Sequence, residues 1–228
     1  MAILLSATDI HLTGTVNNFS DITTPFSVST WIQYAGWGTG VIKSLVGLYL
    51  VGTTAIQIGT YQAGNVSVWT WGGANLITSN GAVILSTTEY IHIVYTFDGT
   101  NHRLYINGPL INTTTTAQVS GVPDVIYING YPTGGINETA VYSVDDTIYF
   151  NRQLSNEEVL TLYNSRGIRD GIYDGVVARF TMGEGVIGST VSILKDYGQF
   201  NNSLITEGAG TPIIFSEGVI FNDTRPYQ

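Results

Sequence analysis

Tyr90-Ile-His-Ile-Val-Tyr-Thr-Phe-Asp98-Gly99 is followed by Leu104-Tyr-Ile-Asn107-Gly108, and further on by Val144-Asp145-Asp146-Thr-Ile-Tyr149-Phe150-Asn151-Arg152-Gln-Leu154-Ser155-Asn156-Glu157-Glu158-Val-Leu-Thr-Leu-Tyr163. The first two pieces alternate in polarity as half-buried strands do, and they break at Asp-Gly and Asn-Gly, the most specific short signals for tight hairpins. The third is a strand that runs into a helix. Ser155 stands where an N-cap belongs, and Glu158 three residues later completes a capping box ahead of Val159, Leu160 and Leu162. The helix expected over 155–164 is the one convincing helix of the chain.

Outward from this block the pattern stays that of strands. Ile3 to Leu12 reads as an early strand. Phe26-Ser-Val-Ser-Thr-Trp31-Ile-Gln-Tyr34 puts Phe26, Val28 and Thr30 on one face and Trp31 on the other. Asn65-Val-Ser-Val-Trp69-Thr-Trp71 is a further strand, and Val83-Ile84-Leu85 another apolar run. The 228 residues suffice for one substantial core, and 27 glycines with 11% charged residues suit short strands joined by many tight turns. A formal net charge of -9 excludes a nucleic-acid partner, whose phosphates demand a basic stripe. There is no cysteine, so disulfides, thiol nucleophiles and thiolate metal sites are excluded. No run approaches the roughly 18 apolar residues of a membrane span. Met1 to Ser6 lacks the basic start and sustained apolar run of a secretory signal, which favours a virion protein over an ordinary secreted lectin.

The order of elements over 90–164 resembles the laminin-G-like, concanavalin A-like jelly rolls, specifically their phage and bacterial branch: an aromatic-x-His strand, an Asp-Gly turn, a Tyr-x-Asn-Gly turn, and an Asp-Asp strand leading through Asn-Arg-x-Leu-Ser into a helix. The resemblance implies an all-β sandwich of two antiparallel sheets with one short helix near 155–164, and a single domain over 1–228. One departure stands out. Val176 to Gly185, then Lys195 to Ser203, then Ile213 to Phe221 resemble the strands with which such domains open, yet here they come last. Either residues 172–222 supply the opening strands of their own sandwich, a circular permutation, or they complete a neighbour's sheet in a swapped assembly. The short linker 165–175 and the edges that a sandwich without those strands would expose favour the first.

Lectins of this superfamily stack aromatic rings on sugars, so Trp69 and Trp71, two apart and hence on one face, together with Tyr61 and the glycine-flanked Trp37, are the carbohydrate-binding candidates. Each has a competing assignment to the core, and for Trp31 the core assignment prevails. The superfamily commonly holds calcium, so Asp145, Asp146 and Asp9 are the candidate ligands of a structural calcium. Paired acids at a strand start equally accept backbone hydrogen bonds. No cofactor is otherwise required. His92 reads as a hydrogen-bonded structural residue and Asp98 as a turn residue. The Glu-x-Asp-x-x-Glu strand of related glucanases is absent, as is a Gly-x-Ser-x-Gly elbow, so the chain is expected not to be an enzyme.

These features lead to a non-enzymatic protein on the surface of a bacteriophage virion, a head decoration, head fibre or tail-associated module. Its expected partners are other capsid or tail proteins, with weak binding of host-surface glycans and self-association into a homo-oligomer. The alternative is a free or secreted, extracellular bacterial lectin module.

Overall fold

The computed structural model describes residues 2–5, 11–36, 42–50, 56–61, 64–70, 75–79, 81, 89–129, 141–165, 172–181, 193–194, 196–198, 200, 202–207 and 213–215. Two antiparallel eight-stranded sheets face each other. The first contains β1 (Ala2–Leu5), β3 (Phe26–Gly36), β8 (Ile91–Phe97), β9 (His102–Ile106), β10 (Leu110–Thr114), β12 (Val141–Phe150), β13 (Val176–Phe180) and β16 (Ile213–Phe215). Its order is β10-β9-β8-β3-β12-β1-β16, with β13 paired to β12. The second contains β2 (His11–Thr15), β4 (Ile42–Tyr49), β5 (Ile56–Tyr61), β6 (Asn65–Thr70), β7 (Asn75–Thr78), β11 (Val125–Ile128), β14 (Ile193–Leu194) and β15 (Leu204–Glu207). Its order is β14-β15-β2-β11-β4-β5-β6-β7. One helix, α1 (Asn156–Ser165), follows β12.

The turns form as their residues require. Asn107 and Gly108 have φ of 54° and 98°, the two positive angles of a type I′ hairpin turn, joining β9 to β10. Gly99 takes φ of 96° between β8 and β9, where the Asp98 carboxylate accepts the Thr100 and Asn101 amides at 2.8 and 2.7 Å. Burial pulls that carboxyl up, but hydrogen bonds from Asn101, Arg103 and Thr100 outweigh it and hold it well below the usual carboxylate range.

Of the late strands, β15 and β16 pair with the N-terminal strands β2 and β1 of the same chain, and β13 pairs with β12. β12 gives one edge to β3 along its length. Its other edge is shared, with β1 at Tyr142 to Val144 and β13 from Thr147 to Phe150. Ile213 to Phe215 pair with Leu4 to Ala2, and Ile205 to Glu207 pair with Thr13 to His11.

Between the sheets lies the main core, built from the inward rows Phe26, Val28 and Ile32; Ile91, Ile93, Tyr95 and Phe97; and, opposite, Val46, Leu48, Ile56, Ile58, Val66 and Val68. The outer face of the first sheet carries a second apolar cluster. There Val159 and Leu162 of α1 are fully buried against Val94, Tyr105, Ile148 and Phe150, each worth about 1.5–3 kcal/mol. The capping box forms: the Glu158 amide donates to Ser155 Oγ at 3.2 Å and the Ser155 amide to Glu158 Oε2 at 2.8 Å. Arg152 then grips Glu158 with both terminal nitrogens, at 2.9 and 2.7 Å, which ties the helix start to the end of β12.

Trp31 is buried, as the sequence indicates, but in this outer layer and not between the sheets. It stacks on His92 at 4.6 Å and on Tyr163 of α1 at 5.7 Å between ring centroids. His92 Nε2 meets Ser29 Oγ at 2.8 Å, and burial pushes the imidazole down to about 3, so the ring is neutral.

Candidate functional site

Because side chains alternate along a strand, the register assigns every described position of the second sheet to the core face or to the face turned away from it. Leu12, Ile126, Val46, Leu48, Ile56, Ile58 and Val68 take the core face. The outer face therefore receives one continuous cross-strand row: Thr13, Tyr127, Gly47, Gln57 and Trp69, each paired with the next. The row beside it runs Ser44, Gly59, Ser67 and Thr78. Tyr49 joins the first row diagonally and packs edge-on against Tyr127 at 5.9 Å.

Two aromatic residues thus flank a glycine and an amide. A Cβ at Gly47 would stand 2.6 Å from the Ile56 carbonyl oxygen, so the backbone bars a side chain there. From across the core the Tyr149 hydroxyl donates to the carbonyls of Gly47 and Tyr127, at 3.4 and 3.3 Å, and holds the two strands in place from behind.

Gln57 is 2% exposed and Ser44 1% exposed. Yet Gln57 Oε1, Gln57 Nε2 and Ser44 Oγ have no hydrogen-bond partner. Buried polar groups are nearly always paired, and each orphan costs about 1–3 kcal/mol, so three on one face call for a ligand or ordered water. Their neighbours do not compete for that role: Ser67 and Thr78 hydroxyls bond each other at 3.0 Å.

The residues anticipated from sequence distribute unevenly around this row. Trp69 is part of it, 9% exposed. Tyr61 lies at the end of β5, its backbone paired with Ile42 and Asn65. Trp37, Trp71 and Asp9 fall outside the described residues. Gln57, Ser44, Gly47, Tyr49 and Tyr127 were not singled out by the sequence. The alternation of Ile56-Gln57-Ile58 marks Gln57 as outward-facing, but nothing in one strand reveals that Trp69 will stand beside it.

Asp145 and Asp146 lie on the opposite side of the molecule, at the outer face of the first sheet. They sit in the middle of β12 rather than at a strand start, at a bulge where the register to β3 skips a residue and Asp146 takes φ of 42°. Asp145 is 8% exposed; burial, then the charge of Asp146, pushes its carboxyl up to about 8. Asp146 faces the Arg179 guanidinium at 3.1 Å. Calcium wants six to eight oxygen ligands and ionised carboxylates. Here burial favours the neutral form of one carboxyl and the other faces a guanidinium, while Asp9, the third residue of the expected set, lies outside the described residues. Among the described residues no three His, Asp or Glu side chains converge on a metal position.

The other carboxylates with resolved partners serve the fold: Asp21 caps a turn at Thr23, Asp196 accepts the amides of Arg179, Gly198 and Asn202, and Glu158 belongs to the capping box. His102 is likewise structural, its Nδ1 meeting the Tyr95 hydroxyl and its Nε2 the Thr116 carbonyl, both at 2.7 Å. Among the described residues no helix is long and apolar enough to cross a membrane.

Solved structures share this architecture. A protein from Bacteroides ovatus assigned to carbohydrate binding superposes with a TM-score of 0.64 at 14% identity, over 93% of this chain and 60% of its own. The chain thus spans about 60% of that relative's length. The heptameric SAP-like pentraxin of Limulus polyphemus matches with a TM-score of 0.63 at 14% identity, over 96% and 97% of the two chains. The sialidase of Trypanosoma rangeli matches over 64% of this chain but 23% of its own, with a TM-score of 0.50 at 18% identity. No curated protein matches the sequence. The laminin-G-like family model of the concanavalin A-like lectin/glucanases superfamily matches residues 6–160, the block with the two turns, the Asp-Asp bulge and the capped helix, and the chain belongs to that superfamily.

Proposed function

We propose that the chain is a non-enzymatic carbohydrate-binding module that takes a sugar on the outer face of its second sheet. One observation carries this reading: Tyr127, Gly47, Gln57 and Trp69 form a single cross-strand row that sets two aromatic residues beside an amide with no partner within the protein. A pyranose has an apolar face that stacks on aromatic carbon and a rim of hydroxyls that need partners of both kinds. The carbohydrate-binding assignment of the Bacteroides relative supports the same reading.

A glycan array with the full chain tests it. Saturable binding that falls about tenfold or more in Trp69→Ala and in the half-exposed Tyr49→Ala is the expected result. Trp37→Ala and Trp71→Ala extend the test to the remaining aromatic candidates. The absence of binding to any glycan, or binding indifferent to both Trp69 and Tyr49, would refute the reading.

The particle-surface placement belongs to the same proposal. The likeness of residues 90–164 to the phage and bacterial branch supports it, as does a cysteine-free composition carrying few charges. On a shell with many copies, modest single-site affinity becomes avidity, and self-association of the kind seen in the heptameric pentraxin relative would act the same way. Recovery of the chain with purified virus particles at constant copy number is the expected outcome. Recovery free of particles, with sugar binding intact, would favour the secreted bacterial lectin instead.

A further inference from the structure

We infer that His102 is an acid-released clasp: while neutral it pins the connection between the two sheets, and a proton gained at Nδ1 reverses its bond to Tyr95 and frees that connection.

Residues 115–124 carry the chain from β10 of the first sheet to β11 of the second. Among the described residues, 115–119 are hydrogen-bonded to other elements through one pair of side chains: the Thr116 carbonyl meets His102 Nε2 at 2.7 Å, and Gln118 Nε2 donates to the Tyr95 hydroxyl at 3.5 Å. These partners leave a single arrangement of hydrogens. A carbonyl oxygen accepts and never donates, so Nε2 carries the proton and Nδ1 is a lone pair. The Tyr95 hydroxyl, 2.7 Å from Nδ1, therefore donates to it. Burial raises the Tyr95 phenol, so the hydroxyl keeps the hydrogen it donates. Gln118 is oriented as well, because its Oε1 accepts the Val119 amide at 3.1 Å.

A second proton on the imidazole breaks this order. Nδ1–H and the Tyr95 O–H would point at each other, so the hydroxyl has to turn its hydrogen away, and the Gln118 atom beside it is itself a donor. Relief requires the Gln118 carboxamide to rotate, which gives up the Val119 amide, or the connection to lift away. His102 cannot yield, since it is 0% exposed and stacked on Phe97 at 4.7 Å between ring centroids. Residues 115–119 are half-buried or exposed, and they are the part that gives way.

The charges around the ring set the direction. Asp98 is the charged group that acts on His102, and its carboxylate already accepts from Arg103 at 2.8 Å. Asp21 holds the far end of the connection, accepting the Gly121 amide at 3.2 Å. Residues 104–123, running from β9 through β10, and residues 65–78 of β6 and β7 contain no carboxylate, lysine, arginine or histidine, nor do residues 26–36 of β3. Burial lowers the His102 imidazole from 6.5, against the Thr116 bond and the Asp98 charge, which raise it. The clasp is thus complete above pH 6.5 and is lost as pH falls through the lowered folded value, because the unfolded chain takes up its proton first.

Nitrogen-15 NMR on the full chain between pH 7 and pH 4 tests the clasp. At pH 7 the His102 ring should report the Nε2–H tautomer. As pH falls, backbone order parameters of 115–119 should drop from about 0.85 to below about 0.6, with the same midpoint as His102 protonation, while β3 and β8 hold theirs. His102→Gln supplies one acceptor and one donor in place of the neutral ring and does not titrate, so its connection should stay ordered at pH 4. Tyr95→Phe deprives Nδ1 of its donor and should move release to higher pH. An Nδ1–H tautomer, protonation of His102 with full order kept at 115–119, loss of that order in His102→Gln at the wild-type pH, or unfolding of the whole chain with His102 still neutral would overturn the inference. Should His102→Gln fail to fold, Tyr95→Phe decides, and an unchanged or lower release pH refutes the clasp.

Discussion

Replacing Asp145 by Asn distinguishes a buried neutral acid from a metal ligand, and the structure fixes the sign. Asp145 Oδ1 accepts the Asp146 amide at 2.9 Å, a bond that the Asn carbonyl reproduces, so the substitution changes charge and little else. Burial, reinforced by Asp146, raises the folded carboxyl from 3.8 to about 8. Below the unfolded value both states are protonated and the group costs nothing. As pH rises from about 4 to about 8 the unfolded chain releases a proton that the folded chain retains, and wild-type stability falls by about 1.4 kcal/mol per pH unit. The loss accumulates over that whole window. Asp145→Asn removes this slope. Urea unfolding of both proteins at pH 5 and pH 8 reads the effect: the variant should gain on the wild type by several kcal/mol between the two values. His92 and His102 titrate in both proteins and cancel from the difference. Parallel pH profiles would refute the account of Asp145. A variant that loses ground at pH 8, together with wild-type sensitivity to a calcium chelator, would show an ionised ligand at this position.

Two further outcomes follow from the packing. His92 is held neutral, its imidazole lowered to about 3 by burial against Trp31; its contribution is complete above pH 6.5 and declines as pH falls toward 3, because the unfolded chain alone takes up the proton. His92→Gln should therefore show a shallower loss of stability than wild type between pH 6.5 and 4, measured by denaturant midpoints, and an equal slope would contradict the assignment. At the open edge of the sandwich, Asn112 Nδ2 and Thr114 Oγ1 of β10 donate to the Thr78 and Leu76 carbonyls of β7, at 2.7 and 2.6 Å, and so cap the free edge of the second sheet with side chains of the first. Thr114→Val should cost about 1 kcal/mol and raise light scattering on prolonged incubation, as β7 regains an unpaired carbonyl; unchanged scattering and Tm would count against a protective role.

How far the sequence speaks depends on the range of the interaction that a residue serves. Asn107-Gly108 and Ser155-Asn156-Glu157-Glu158 determine their own geometry within four residues, so the hairpin and the capped helix are legible without a partner in view. The strand alternation of Phe26 to Tyr34 correctly separates Val28 from Trp31, but it cannot say that a helix more than a hundred residues later covers Trp31 and makes a second buried layer. The paired aspartates illustrate the same limit in chemistry. Asp145 and Asp146 read alike as oxygen donors, and the distinction between them comes from Arg179, a residue of β13 that reaches β12 through the late part of the chain. The candidate site is the extreme case. Gln57 looks like an ordinary polar residue of an alternating strand, and it acquires meaning because β4, β11 and β6 bring Gly47, Tyr127 and Trp69 into its row from three separate regions of the sequence. A candidate row that crosses four strands has no local signature. What selects it is the conjunction of register with an unsatisfied hydrogen-bonding group, and the register becomes visible once the strands are paired.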